Sequence, residues 1–198
     1  MAMRAGSDYT RYVRTDELLA LQKPAHERVH RDELLFQVVH QSAELWLRLV
    51  AFESETAAER IRAGELVAAA RLLRRAVLGF ELLIDQLAML EQISPRDYHA
   101  IRAALGQGSG FDSPGFQDVQ RVAQELGAAL ADDLRSRGAT LLDVYAAPDA
   151  QPETHAVCEL LTDWDQQLHL WRLRHLAIVE RVLGRAAVGT QGTPIALL

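Results

Sequence analysis

The chain has 198 residues, enough for one domain or one domain with an arm, and its 49% apolar and 24% charged residues describe a packed protein rather than a disordered one. A formal net charge of −6, with no Lys/Arg run interleaved with aromatics, points away from nucleic acid and acidic membranes as partners. The one cysteine, Cys158, excludes an internal disulfide framework and a cysteine-based zinc site, and it fits a reducing compartment.

The N-terminal residues lack the apolar core of a secretory signal, and charged residues interrupt every apolar run before it reaches spanning length. The expectation is a cytoplasmic protein without a membrane partner. Residues 1–14 read as a polar arm carrying Tyr9 and Tyr12. Exposed aromatics on an arm mark a partner contact, or else they pack on their own subunit.

From Asp32 to about Ala63 apolar residues recur at Leu35, Val38, Val39, Leu45, Trp46, Leu49 and Val50, a three-and-four spacing that predicts a long helix. The same period runs from Gly64 to Ile93 through Leu66, Leu72, Leu73, Val77, Phe80, Leu83, Ile84, Leu87 and Leu90. Two long helices with a short link predict antiparallel neighbours in a bundle. Ser94-Pro95-Arg96-Asp97 is a helix start: a serine N-cap, proline at the first helical position and an acid at the positive end of the dipole. That helix runs to about Leu105. The stretch 106–115 holds four glycines and reads as a loop. A further helix spans about Phe116 to Ser136, residues 138–151 are less regular, and Pro152 opens a helix to about Leu183 with Gly184 as its stop. Residues 185–198 read as a mobile C-terminal tail, polar over Gly189 to Pro194 with two glycines. No repeat and no alternating run long enough for a sheet is present, so the class is all-α, one helical-bundle domain over residues 1–198.

Two helices each set one histidine among large apolar residues: His40 within 33–46 and His175 within 170–175. A buried imidazole needs partners for its ring nitrogens, and neutral imidazole is also a strong axial ligand for heme iron. Periodicity alone favours the plainer role, a core histidine bonded to a carbonyl or carboxylate. Phe36 shares a helix face with His40 and could wall a pocket for a flat molecule. Glu44 shares that face too, but one His/Glu pair without His-Glu-x-x-His is a weak zinc signal. Tyr98 and Arg102, four apart, have the donors to grip a carboxylate, although such pairs are commonest as surface neighbours. The loop at Ser109-Gly110 lacks the strand and the Lys-Ser/Thr of a phosphate loop. Thr190, in the tail, reads by itself as part of a frayed terminus.

The order of these signals is more specific than any one of them. Tyr9-Thr10-Arg11-Tyr12, the Phe36 to Trp46 block, Pro95 to Phe111, Trp171 to Gly184 and Gly189 to Thr193 together resemble the tryptophan 2,3-dioxygenase family. The resemblance implies a helical bundle holding heme b in a homotetramer or other homo-oligomer. It implies His175 as axial ligand of the heme iron, with Trp171, Ser109 and Gly110 beside the cofactor. It implies His40 as the distal residue that bonds the indole N–H, and Phe36 as the wall of the indole site. Arg102 and Tyr98 would hold the substrate carboxylate and Thr190 its ammonium, while Tyr9 and Tyr12 would reach a neighbouring subunit's pocket. The substrates implied are an aromatic amino acid and O₂. Two departures stand out: the stretch from about Gln120 to Leu168 is shorter than in the family, and Asp112 stands where a Gln is expected. A heme-dependent hydroxylase of an aromatic amino acid and a non-catalytic heme-binding bundle stay open beside the dioxygenase.

Overall fold

The structure is a computed structural model describing residues 7–106, 108 and 110–185. Its α-helices, among the described residues, are α1 (Asp8–Val13), α2 (Thr15–Leu19), α3 (Glu33–Arg62), α4 (Leu66–Leu90), α5 (Pro95–Ala104), α6 (Pro114–Ser136), α7 (Leu141–Ala146) and α8 (Pro152–Leu183). The all-α class is as expected, and no described helix is long and apolar enough to cross a membrane.

The long helices α3, α4, α6 and α8 make a four-helix bundle. Their directions follow from which residues meet. Ser42 bonds Gln86, Val50 abuts Gly79 and Glu53 pairs with Arg75, so α3 and α4 are antiparallel. The link between them turns at Gly64, whose φ of +74° suits glycine. Glu44 meets Gly115 and Arg48 meets Asp118, so α6 runs parallel to α3. Phe80 meets Trp164 and Glu91 meets Arg174, so α8 runs parallel to α4. The starts of α3 and α6 and the ends of α4 and α8 therefore gather at one end of the bundle.

Large apolar side chains close the bundle's middle. Leu47, Val50, Ile61, Leu73, Phe80, Leu83, Val119, Val122 and Leu126 are buried together. The rings of Phe80 and Trp164 meet edge to face at 5.1 Å, and Trp164 Nε1 donates to buried Ser54 Oγ at 3.0 Å. That bond lets a large indole enter the core without orphaning its N–H. A Cβ on Gly79 would come within 2.6 Å of Val50 Cγ2, so glycine is what lets α3 and α4 approach here.

The expected helices are present with small shifts. α4 stops at Leu90, and Ile93 is buried in the turn that follows. α6 starts two residues before the expected Phe116, because Ser113 caps it by accepting from Phe116 N–H and Pro114 occupies its first turn. The less regular stretch contains α7, started by a capping box between Thr140 and Asp143. The arm is helical in α1 and α2, joined at Arg14 with φ +57°. Neither helix buries a residue, so neither has an apolar stripe to read. Residues 20–32 are tied back to α3 by Glu33, which accepts from Lys23 Nζ at 2.7 Å and Val29 N–H at 2.8 Å. The Lys23 ammonium, more than the Val29 bond, holds the buried Glu33 carboxyl below the usual carboxylate range.

Candidate active site

The gathered helix ends do not close over a solid core. A cavity of about 480 Å³ opens there, lined by Phe36, His40, Tyr98, Arg102, His175 and Val182 among others. An adjoining lobe of about 330 Å³ is lined by Gln86, Leu87, Phe116, Trp171 and Arg172. His40 and His175 border both lobes. Both volumes lie within the range of small-molecule and cofactor sites. Leu90, Ile93, Ile178 and Val179 make the wall of the larger lobe mostly apolar.

Each histidine is held by an aromatic neighbour one turn before it. The Phe36 ring lies 4.0 Å from that of His40, tilted by 31°, and Tyr98 lies 6.2 Å beyond Phe36. The Trp171 ring stacks on His175 at 4.8 Å and 10°, and Phe116 of α6 lies 4.1 Å from Trp171. The two rows of rings leave few rotamers open to either imidazole.

His40 Nδ1 lies 2.7 Å from the Phe36 carbonyl oxygen. A carbonyl only accepts, so Nδ1 carries the proton and, in the neutral ring, Nε2 presents a lone pair. His175 makes no hydrogen bond to any described residue. Both rings are accessible to small molecules yet lie deep, because they border the cavity rather than the outer surface. Burial is the main cause that pushes the His175 pKa down to about 4, with the His40 ring adding to it. Burial also lowers the His40 pKa, against the Phe36 carbonyl and the Glu44 carboxylate, which raise it. Both imidazoles are thus neutral near neutral pH. Burial raises the Tyr98 pKa, partly offset by the Arg102 charge, so the phenol keeps its proton and can donate.

These shifts set a pH dependence. The unfolded chain protonates its histidines near 6.5, whereas folded His175 resists until about 4, so the unfolded state binds more protons between those values. Stability is intact above the window and falls as pH drops through it, by roughly 2–3 kcal/mol from His175. Urea midpoints of the cofactor-free protein across this window should show the fall. His175→Gln should flatten it, and an equal fall in that variant would contradict the assignment.

Bonds between elements hold the site in shape. Glu44 accepts from Ser113 Oγ and, at 3.0 Å, from Gly115 N–H, so a carboxylate of α3 caps the start of α6. A Cβ at Gly115 would meet Glu44 Oε2 and Leu47 Cβ, each at 2.7 Å, so this docking needs glycine. Arg174 bonds Glu91 Oε1 and the Ile84 carbonyl, both at 3.0 Å, which ties α8 to α4 beside His175. His30 Nδ1 accepts from Asp32 N–H, and its Nε2 lies 3.6 Å from Asp97 at the head of α5, beside Tyr98.

Of the residues singled out from sequence, Phe36, His40, Tyr98, Arg102, Gly110 and His175 meet in the larger lobe, and Trp171 joins His40, Gly110 and His175 in the smaller. Tyr9 and Tyr12 do not line this chain's own cavity; they stand 69% and 90% exposed on α1. Ser109 and Thr190 lie outside the described residues. Sequence reasoning missed Arg172 and Gln86, and it weighed Glu44 only as a metal ligand. Glu44 sits one turn after His40, but nothing local announces a partner 71 residues away.

The sequence model of the family described as tryptophan 2,3-dioxygenase matches residues 1–128. A tryptophan 2,3-dioxygenase of Xanthomonas oryzae pv. oryzae (strain PXO99A) is 28% identical, over 93% of this chain and 80% of its own length. Its namesake in Xanthomonas campestris pv. campestris (strain B100) is likewise 28% identical, over 93% of this chain and 79% of that protein. The namesake in Saccharopolyspora erythraea is 30% identical, over 92% of this chain and 83% of that protein. These alignments extend over 235 or 236 positions, more than the 198 residues here, so the relatives carry segments that this chain lacks. His175 lies beyond the stretch matched by the family model. With the match covering more than half of the chain, and with the block order on which the resemblance rests, this chain belongs to the tryptophan 2,3-dioxygenase family.

Proposed function

We propose that the protein is a heme-dependent dioxygenase that adds O₂ across the indole C2–C3 bond of L-tryptophan or a close indole amino acid, giving an N-formylkynurenine-type product. One observation carries the reading: two neutral imidazoles share a mostly apolar cavity, and one of them, His175, has no hydrogen-bond partner among the described residues. No group of three or more His, Cys, Asp or Glu side chains gathers among the described residues. A metal in this cavity would therefore arrive with most of its ligands already in place, as iron does in a porphyrin. The residues present fit that group: the neutral imidazole of His175 would hold the iron, with flat aromatic side chains beside it and aliphatic walls.

When bound, the heme supplies the iron at which O₂ is activated. The chain's own residues do the rest. His40 Nε2 accepts the indole N–H, the one bond for which its tautomer leaves a lone pair. Phe36 walls the indole ring. Arg102 pairs with the substrate carboxylate and protonated Tyr98 donates to it, which orients the ring at the reacting end. Fixing two reactants in this way can lower a barrier by roughly 7 kcal/mol or more. The aliphatic walls exclude water from reactive oxygen species. The roles that the family resemblance implies for Ser109 and Thr190 fall on residues outside those described. Gly110 would border the cofactor, and Tyr9 and Tyr12 would reach the cavity of a neighbouring copy in a homo-oligomer. Their exposure on α1 supports the last point.

The test is reconstitution with heme, reduction, and exposure to ¹⁸O₂ with tryptophan, methyl-tryptophans and tyrosine. The expected result is a Soret band and a tryptophan product heavier by two labelled oxygens. Absence of a Soret band overturns the heme reading. A product carrying one oxygen replaces the dioxygenase with a hydroxylase.

A further inference from the structure

Residues that line the smaller lobe carry hydrogen-bond donors that meet no acceptor among the described residues. Arg172, half-buried on α8, lines it, and its guanidinium has no ion pair or hydrogen bond to any described residue. Arg174, two residues on, is fully engaged with Glu91 and the Ile84 carbonyl. Trp171 Nε1 is buried without a partner among the described residues. So is Gln86 Nε2, the amide's oxygen being taken by Ser42 Oγ. A buried donor left unpaired is costly, and native proteins keep few of them. The acid that borders this lobe, Glu44, is occupied by Ser113 and Gly115. The lobe is thus lined by one positive charge without a partner among the described residues, beside apolar Leu47, Leu87 and Phe116, while the two neutral donors are occluded on residues of its wall.

Each lobe has an arginine of its own, Arg102 in the larger and Arg172 in the smaller. The proposed reaction brings two kinds of carboxylate to this cavity. One belongs to the amino acid and the others are the propionates of heme, the only charged groups on an otherwise flat apolar ring. We propose that Arg172 is the anchor for a heme propionate, which leaves Arg102 to the substrate. The division rests on the heme reading above. It gives the cofactor an orientation within the cavity, since the propionate edge is drawn to the smaller lobe.

The test loads the full chain with heme or with its dimethyl ester, whose propionates carry no charge, and follows release to an excess of a heme-scavenging globin. Wild type should release the ester roughly tenfold or more faster than the free acid, the size of one charge-assisted bond. Arg172→Leu should bring the two rates together, and Arg172→Lys should restore part of the difference. Undiminished discrimination in Arg172→Leu overturns the anchor while leaving the heme reading intact. Should that variant not fold, equal release of acid and ester by wild type overturns it instead. Failure of wild type to take up either porphyrin overturns the heme reading and the anchor with it.

Discussion

His175→Ala is expected to lose the Soret band of the reconstituted protein and all measurable turnover. The imidazole is the direct ligand in the proposed site, so its loss should exceed the roughly 10–100-fold that changes to supporting groups cost a metal site. Its neutrality would fit it for that part. Burial holds its pKa at about 4, so the ring nitrogen keeps its lone pair at neutral pH. Trp171, stacked at 4.8 Å and 10°, fixes the plane in which that lone pair lies. The substitution leaves a ring-sized space beside Trp171, and free imidazole added to the variant should refill it and restore a Soret band. The fold should persist, because His175 lies outside the buried clusters of the bundle and makes no hydrogen bond to a described residue. Far-UV circular dichroism checks this. Heme affinity and spectrum unchanged from wild type would leave His175 as a cavity-lining residue only and end the proposed mechanism.

The second large effect is expected at Arg102. Arg102→Leu should lower kcat/KM for tryptophan by about 10²–10³-fold while leaving the Soret band in place, the loss of a bidentate charge-assisted pair. Tyr98→Phe removes one donor and should cost about tenfold. Both side chains line the larger lobe, and the half-buried phenol keeps its proton, so in the proposed site both would donate to one carboxylate. Tryptamine, which lacks that carboxylate, supplies the control. Wild type should handle it as poorly as Arg102→Leu handles tryptophan, and the variant should handle it no worse than wild type does. An equal loss on both substrates in Arg102→Leu would show that Arg102 supports the fold of α5 rather than the substrate.

The helices were readable because each obeys local chemistry. Ser94 and Pro95 start α5, Pro152 starts α8 and Gly184 ends it, and the apolar spacing of α4 follows the stripe that the bundle buries, whereas Val38, Leu45 and Leu49 of α3 stand exposed. Where the signal failed, burial was absent or a cap was passed over. α1 and α2 bury nothing, and Ser113-Pro114 repeats the signature of Ser94-Pro95 inside a stretch read as loop.

The site divides differently. His40, Phe36, Tyr98, Arg102, Trp171 and His175 were nameable because pairs one turn apart share a helix face, and their order along the chain matches a family. Their convergence was not, since it depends on α3 running with α6 and against α8. The tautomer of His40 needed a carbonyl at 2.7 Å, and the low pKa of His175 needed enclosure. The role of Glu44 needed the start of α6 to be docked on α3, and the unpaired state of Arg172 needed every acid around it to be accounted for. By itself the sequence determined the class, the helices, the family and most of the chemistry-bearing side chains, because spacing and capping act over a few residues. Only the tertiary structure decided charge state, proton position and pairing, because these depend on neighbours that the chain brings back from tens of residues away.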